Sequence, residues 1–298
     1  MLSAVERKIS QYVDDLNEKD ISQIVSKLPA GKRLRARLMI EIAGSSLEVI
    51  KAAAIVEMIH AASLLHDDVI DNATLRRGKS SINAIYGDKS AIMVGDILYS
   101  KAFYELLDMQ KQVAKSISNA VVQLSIGERK DVYLSESFNT NEDEYKHMIY
   151  QKTAVLIEAA SESAAIIAKK PREIFRTYGR NLGLAFQMID DILDIISDEK
   201  TLGKPALSDF KEGKTTLPYI YLYNALDSDD KEKLKSMHKK ILSKDEQNWI
   251  LSKFKEYNII EKSKQEALGL IKEAIELMQN ANEKGLEEIA LKMVDRSF

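Results

Sequence analysis

From residue 3 to the tail, the chain repeats its apolar residues every three to four positions, almost without a break. That spacing lines one face of an α-helix and leaves little room for strands, whose side chains alternate every second residue. Residues 3–18 place Val5, Ile9, Tyr12, Val13 and Leu16 on one face. Pro29, Ala30 and Gly31 interrupt the pattern. A short helix is expected over 33–43, ended by Gly44. Ser46 then offers its hydroxyl as the cap of a long apolar helix reaching residue 71. Further helices are expected over 88–107, 110–134, 142–168 and 171–196, the last opened by Pro171, where a missing N–H costs nothing. Residues 72–79 read as a polar, arginine-bearing loop. Residues 197–213 are the largest irregular stretch and hold Gly203, Pro205 and Gly213; helices resume at Thr216. The Lys- and Glu-rich tail, 259–296, has the composition of a solvated outer helix or a pair of them.

Only 12 glycines and 4 prolines occur in 298 residues, too few turn-formers for a β-rich chain of this length. No stretch is long enough to serve as a linker. The expectation is a single all-α domain over 1–298, a bundle of ten or more mostly antiparallel helices. With 45% hydrophobic residues it can bury a large core, which excludes disorder as the main state. The absence of cysteine excludes disulfides, cysteine-held zinc and a thiol nucleophile. A net charge of −3 gives no basic field for nucleic acid. The most apolar run, 49–65, is broken by Lys51, Glu57 and His60, so no membrane span is expected. Glu6, Arg7 and Lys8 at the start argue against a signal peptide. A cytoplasmic protein is expected.

Two acidic clusters stand out against this background. Asp67-Asp68-Val69-Ile70-Asp71 recurs as Asp190-Asp191-Ile192-Leu193-Asp194, each after apolar helical sequence. Residues four apart share a helix face, so Asp67 pairs with Asp71 and Asp190 with Asp194. Carboxylates near a helix C-terminus repel one another and sit at the negative end of the helix dipole. A hard divalent cation removes that penalty. Mg²⁺ takes oxygen ligands and typically joins one or two carboxylates to substrate phosphates.

Basic residues are spread around these clusters: Gly31-Lys32-Arg33-Leu34-Arg35, Arg76-Arg77-Gly78 just after the first cluster, Lys152-Thr153, and Lys204 and Lys214 after the second. Each alone reads as ordinary surface charge. Together with metal-binding carboxylates they describe a site that neutralises diphosphate.

In these segments, and in Gln187 through Asp194 and Gly213 through Pro218, the chain resembles the trans (all-E) polyprenyl diphosphate synthases. The resemblance runs over residues 31–218 and implies a helical bundle around a central cavity, usually a homodimer. It implies condensation of isopentenyl diphosphate with an allylic diphosphate. Asp67, Asp71 and Asp190 would ligate three Mg²⁺ ions, for which Mn²⁺ could substitute. Asp191 and Asp194 would complete the metal set, with Asp68 in support. Arg76, Lys152 and Lys204 would bind the allylic diphosphate. Lys32, Arg35, His60 and Arg77 would bind that of isopentenyl diphosphate. Thr153 and Gln187 would stabilise the carbocation, and Lys214 would help close the site. Arg296 could cover the second diphosphate site. His66 has no matching role and is read as structural.

In this family the positions four and five before the first aspartate often set the tunnel floor. Here they are Ser63 and Ala62, both small, so the product is expected to exceed twenty carbons. The floor would then come from another helix, with Phe103, Tyr104 and residues 121–124 as candidates. A geranylgeranyl diphosphate synthase is the alternative. A class I terpene cyclase would not need Lys32, Arg35 and Arg77. A non-catalytic synthase subunit tends to lose one acidic cluster, and both are intact here.

Overall fold

Residues 1–29, 31–196 and 207–295 are described by the computed structural model. Gly203, Lys204, Pro205 and Arg296 lie outside them. Helices carry most of the described chain. The only strands among these residues are two of two residues each. The chain forms two compact units, Met1–Leu124 with Leu156–Gly179, and Ser125–Val155 with Arg180–Phe298. The boundaries fall inside helices.

The first unit is built on α4, Leu47–Ile70, which packs against α1, Leu2–Asp14, α3, Leu34–Ala43, and α6, Asp88–Leu106. A helix that is apolar all round has no solvent face to offer and is buried all round. Val49 and the run Ala52, Ala53, Ala54, Ile55 and Val56 are accordingly sealed from water. By length and composition α4 is long and apolar enough to cross a membrane despite Lys51, Glu57 and His60, and most of it is enclosed by protein. Ser46 caps it as expected, accepting from Val49 N at 3.3 Å.

The helix expected over 3–18 ends earlier, at Asp14. Asn17 takes a left-handed φ of 58°, which turns the chain into α2, Lys19–Ser26. Arg77 and Gly78 also have positive φ, 53° and 72°, the condition for a tight hairpin turn. The loop after the first acidic cluster is therefore a small ladder, β1, Leu75–Arg76, paired with β2, Lys79–Ser80. A five-residue helix, α5, Ile82–Tyr86, joins it to α6.

Helices α7, Lys111–Leu134, and α10, Arg172–Ile196, each contribute residues to both units. The helix expected over 142–168 is broken by a wide π turn, Tyr150–Ala154, between α8, Glu142–Ile149, and α9, Val155–Ile167. In the second unit the stretch expected to be irregular holds a short helix, α11, Ser208–Lys211. After it come α12, Leu217–Ala225, α13, Ser228–Met237, and α14, Lys244–Glu256. Phe210 stacks on Tyr219 with ring centroids 4.3 Å apart, and Phe254 meets Tyr219 edge-on, which fixes α11 to α12 and α14. The tail is a pair of helices, α15, Ile259–Asn280, and α16, Lys284–Asp295. It is more than solvated surface: Ile259, Ala267, Ile271, Ala274 and Met278 are buried.

Candidate active site

In the first unit, basic groups collect where α3, α4 and the hairpin meet. Arg33 caps α3 with a left-handed φ of 50°. It donates to Glu6 at 2.6 Å and to the buried Glu57 at 3.3 Å. Glu57 also accepts from Ala36 N at 3.0 Å. Arg77 reaches back to donate to Pro29 O at 3.4 Å. Among the described residues, no carboxylate closes an ion pair on Arg35 or Arg77. Arg35 Nε is buried and without a hydrogen-bond partner. Burial lowers the pKa of Arg35 and neighbouring Arg77 lowers it further, against a pull upward from Glu57. Burial, then Arg35, Arg77, Arg76 and Arg33, hold the His60 imidazole well below its ordinary value, so it is neutral near pH 7. A buried guanidinium with an unmet donor, in an excess of positive charge, is arranged for an anion. Lys32, at the edge of this group, is exposed.

The first acidic cluster lies at the end of α4. Asp71 is the C-cap, and its N–H bonds to Asp67 O at 2.8 Å. Asp67 is half-buried and Asp71 exposed. Asp68 is buried and receives Arg76 Nε at 2.6 Å. Burial raises its pKa and Arg76 partly offsets that. Arg76, expected on a diphosphate, is thus held by a carboxylate of the same motif. His66 stays structural: its Nε2 lies 3.2 Å from Ile92 O and its ring packs on Tyr99. Ala62 is fully buried, and Ser63 donates to His60 O at 2.9 Å.

In the second unit the π turn presents Lys152 and Thr153. A wide turn fits only where neighbours come very close. A Cβ on Gly127 of α7 would lie 2.4 Å from Lys152 N, and one on Gly183 of α10 would lie 2.5 Å from Ala154 Cα. The two glycines let α7 and α10 clasp the turn. Lys152 pairs with Glu128 at 2.9 Å and Asp131 at 2.6 Å. Thr153 donates to Gln187 Oε1 at 2.7 Å, and Gln187 Nε2 donates to Asp191 at 2.8 Å. Tyr145 donates to the other Asp191 oxygen at 2.6 Å. Burial, then Asp209, push the Asp191 carboxyl well up, while the Tyr145 and Gln187 bonds pull it down. Burial and Asp191 hold the Tyr145 hydroxyl well above its usual range.

Asp194 is 1% exposed. It accepts from Ser208 Oγ at 2.8 Å and from Asp209 N at 3.2 Å, capping α11. Asp190 is exposed. Lys214 pairs with Glu212 at 2.8 Å, and its N–H bonds to Asp209 O at 2.8 Å. Among the described residues no three His, Asp or Glu side chains form a metal-holding group by themselves. That suits an ion sharing its coordination with phosphate oxygens. The hard oxygen donors that reach solvent are Asp67, Asp71 and Asp190. The other three aspartates of the clusters are buried.

Sequence reasoning missed Glu57, Glu128, Asp131, Tyr145 and the π turn. A lone carboxylate inside an apolar run, three residues before His60, was a usable signal for Glu57. Nothing in the spacing pointed to Tyr145 or the π turn.

Three comparisons bear on these residues. The family model described as polyprenyl synthetase matches residues 18–257. The octaprenyl pyrophosphate synthase of Helicobacter pylori has a TM-score of 0.94 and 43% identity, covering 98% of each chain. The short chain isoprenyl diphosphate synthase of Methanothermobacter thermautotrophicus is 36% identical over 253 residues, 78% of either chain. The polyprenyl synthase of Caulobacter crescentus, solved with calcium and isoprenyl diphosphate, has a TM-score of 0.90 and 30% identity over 100% of this chain and 95% of that one.

Proposed function

The chain belongs to the polyprenyl synthetase family, and we propose that it makes an all-trans polyprenyl diphosphate of more than twenty carbons. It is a trans-prenyltransferase that condenses isopentenyl diphosphate with an allylic diphosphate. The observation that carries the site assignment is the positive excess around Arg35, with its buried, unpartnered Nε. Arg35, Arg77 and neutral His60, with exposed Lys32, would receive the diphosphate of isopentenyl diphosphate. Arg76 and Lys152 would turn from Asp68, Glu128 and Asp131 toward the allylic diphosphate, and Lys204 is assigned there from its motif.

Asp67, Asp71 and Asp190 would hold Mg²⁺, three ions in all, and the metal would supply the charge that stabilises a departing diphosphate. Asp191 and Asp194 are better read as supports for those ligands than as ligands. As the allylic C–O bond breaks, the oxygens of Thr153 and Gln187 would face the growing cation. The double bond of the second substrate attacks that cation. A proton is then lost from the adduct, and the released diphosphate is its natural acceptor. No side chain of the site is set aside as a base: Asp68 is bonded to Arg76, and Asp191 already receives two donors.

The small pair Ala62 and Ser63 supports a long product, because neither fills the space that an aromatic side chain would. Of the floor candidates, Tyr104 is 65% exposed, which counts against it, whereas Val121 and Leu124 are buried. Apolar side chains exposed along α6, among them Ile92, Met93 and Phe103, support a homodimer. Enclosure of α4 in the core supports a cytoplasmic enzyme.

The test is turnover of labelled isopentenyl diphosphate with an allylic primer, followed by chromatography of the dephosphorylated products. Chains beyond twenty carbons are expected, with activity abolished by EDTA. A product of twenty carbons would make the enzyme a geranylgeranyl diphosphate synthase. A cyclic hydrocarbon would move it to the terpene cyclases, and inactivity without a second chain would make it a subunit.

A further inference from the structure

Two hydrogen-bonded strings in the second unit converge on Asp191. The N–H of Leu217, an orphan donor in the first turn of α12, faces the Tyr145 oxygen. The Tyr145 hydroxyl proton is thereby directed to Asp191. The other Asp191 oxygen takes a proton from the Gln187 amide. With Tyr145 donating to one oxygen and Gln187 to the other, Asp191 accepts on both sides, so Gln187 turns its NH₂ to Asp191 and its carbonyl to Thr153. Thr153 must then spend its proton on Gln187. Tyr145 is sealed from solvent and Asp191 is 4% exposed, so water does not compete for these bonds.

We propose that Tyr145 and Asp191 are positioning residues, Tyr145 holding Asp191 in place and Asp191 setting the direction of the Gln187 and Thr153 bonds, so that the Thr153 hydroxyl oxygen, its proton engaged, presents only lone pairs to the allylic cation. The inference rests on the reading that Thr153 faces that cation. A free hydroxyl can rotate and offer its positive end. One whose proton is held by a carbonyl cannot, and donation by Gln187 to Asp191 and by Thr153 to Gln187 makes the oxygen of each donating group more negative. Neither Tyr145 nor Asp191 touches the substrate in this account. Asp191 acts through Gln187, which separates its role from that of Asp190 beside it.

The direction of these bonds can be reversed and restored. Asp191→Asn can still accept from Tyr145, but it turns its amide N–H₂ toward Gln187. Gln187 must then flip and donate to Thr153. The turnover number should fall about ten- to a hundred-fold, the usual range for outer-shell partners, with both Michaelis constants unchanged. Adding Gln187→Glu places an acceptor-only group between Asn and Thr153. Most of the lost turnover should return. Tyr145→Phe is the independent variant and should lower turnover with unchanged Michaelis constants. Circular dichroism and unfolding midpoints establish that each variant is folded.

If Asp191→Asn/Gln187→Glu is no faster than Asp191→Asn, the relay is wrong. It is also wrong if Asp191→Asn chiefly raises the Mg²⁺ requirement. Thr153→Val separates the two levels. A full rate in that variant removes the cation-facing role of Thr153, and the relay with it. A slow Thr153→Val enzyme with no rescue in the pair leaves the site reading standing and removes the relay alone.

Discussion

The two acidic clusters share one spacing and divide their labour differently. In the first, Asp68 is buried against a charged guanidinium eight residues on, while Asp67 is half-buried and Asp71 exposed. In the second, Asp191 and Asp194 are both buried against neutral donors, and only Asp190 is exposed. A repeated motif therefore does not mean a repeated site. What decides is which elements pack over each carboxylate. The first cluster closes its helix under a short hairpin. The second lies beneath Tyr145 and α11.

The largest expected effect tests whether the exposed members carry the chemistry. Asp67→Ala and Asp190→Ala should each slow turnover at least ~100-fold, as loss of charge stabilisation does, with the unfolding midpoint unchanged. A midpoint that falls with the rate would break the division drawn here.

The same sorting applies to the cations. Arg35→Ala should raise the Michaelis constant for isopentenyl diphosphate about tenfold, in line with loss of one charge-assisted bond, and barely affect that for the allylic substrate. Arg76→Ala should do the reverse. Equal effects on both substrates would show that the two diphosphates are not divided in this way.

The buried members should show up in stability. Asp194→Ala removes the cap of α11 and should cost about 1–2 kcal/mol in denaturant unfolding. A loss of activity with no change in stability would put Asp194 among the metal ligands instead.

The smallest effect is on product rather than rate. Ala62→Phe or Ser63→Phe should shift products toward fifteen or twenty carbons while the first condensation persists. Ala62 is fully buried, so an inserted ring also risks overpacking worth ~1–3 kcal/mol. Unchanged product lengths from a folded variant would place the floor elsewhere.

Much of this was legible before any coordinates. Helical periodicity and scarce turn residues carried the all-α class, because each helix must bury a stripe and the stripe is written in the spacing. The paired aspartates could be picked out because carboxylates gathered at the end of an apolar helix are costly without a purpose, whereas Arg35 and His60 gained roles only through the family resemblance. What escaped was decided by long-range contact. Asn17 and Arg77 adopt left-handed backbone that their side chains permit without advertising it. The π turn depends on Gly127 and Gly183, separated from it in sequence, and Tyr145 meets Asp191 across 46 positions.

Two arginines of the basic group, Arg33 and Arg77, hold left-handed φ angles of 50° and 53°. Each costs roughly 1–2 kcal/mol for a residue with a Cβ. Like charge and an unmet Arg35 donor add to that cost. An anion bound at this corner would offset the like charge and meet the Arg35 donor. Linkage turns binding into melting temperature: a ligand at a hundred times its dissociation constant adds about 2.7 kcal/mol to stability. Inorganic pyrophosphate should accordingly raise the unfolding temperature. Amide hydrogen exchange along 31–36 and 75–80 should slow when it binds, making this corner a thermometer for occupancy.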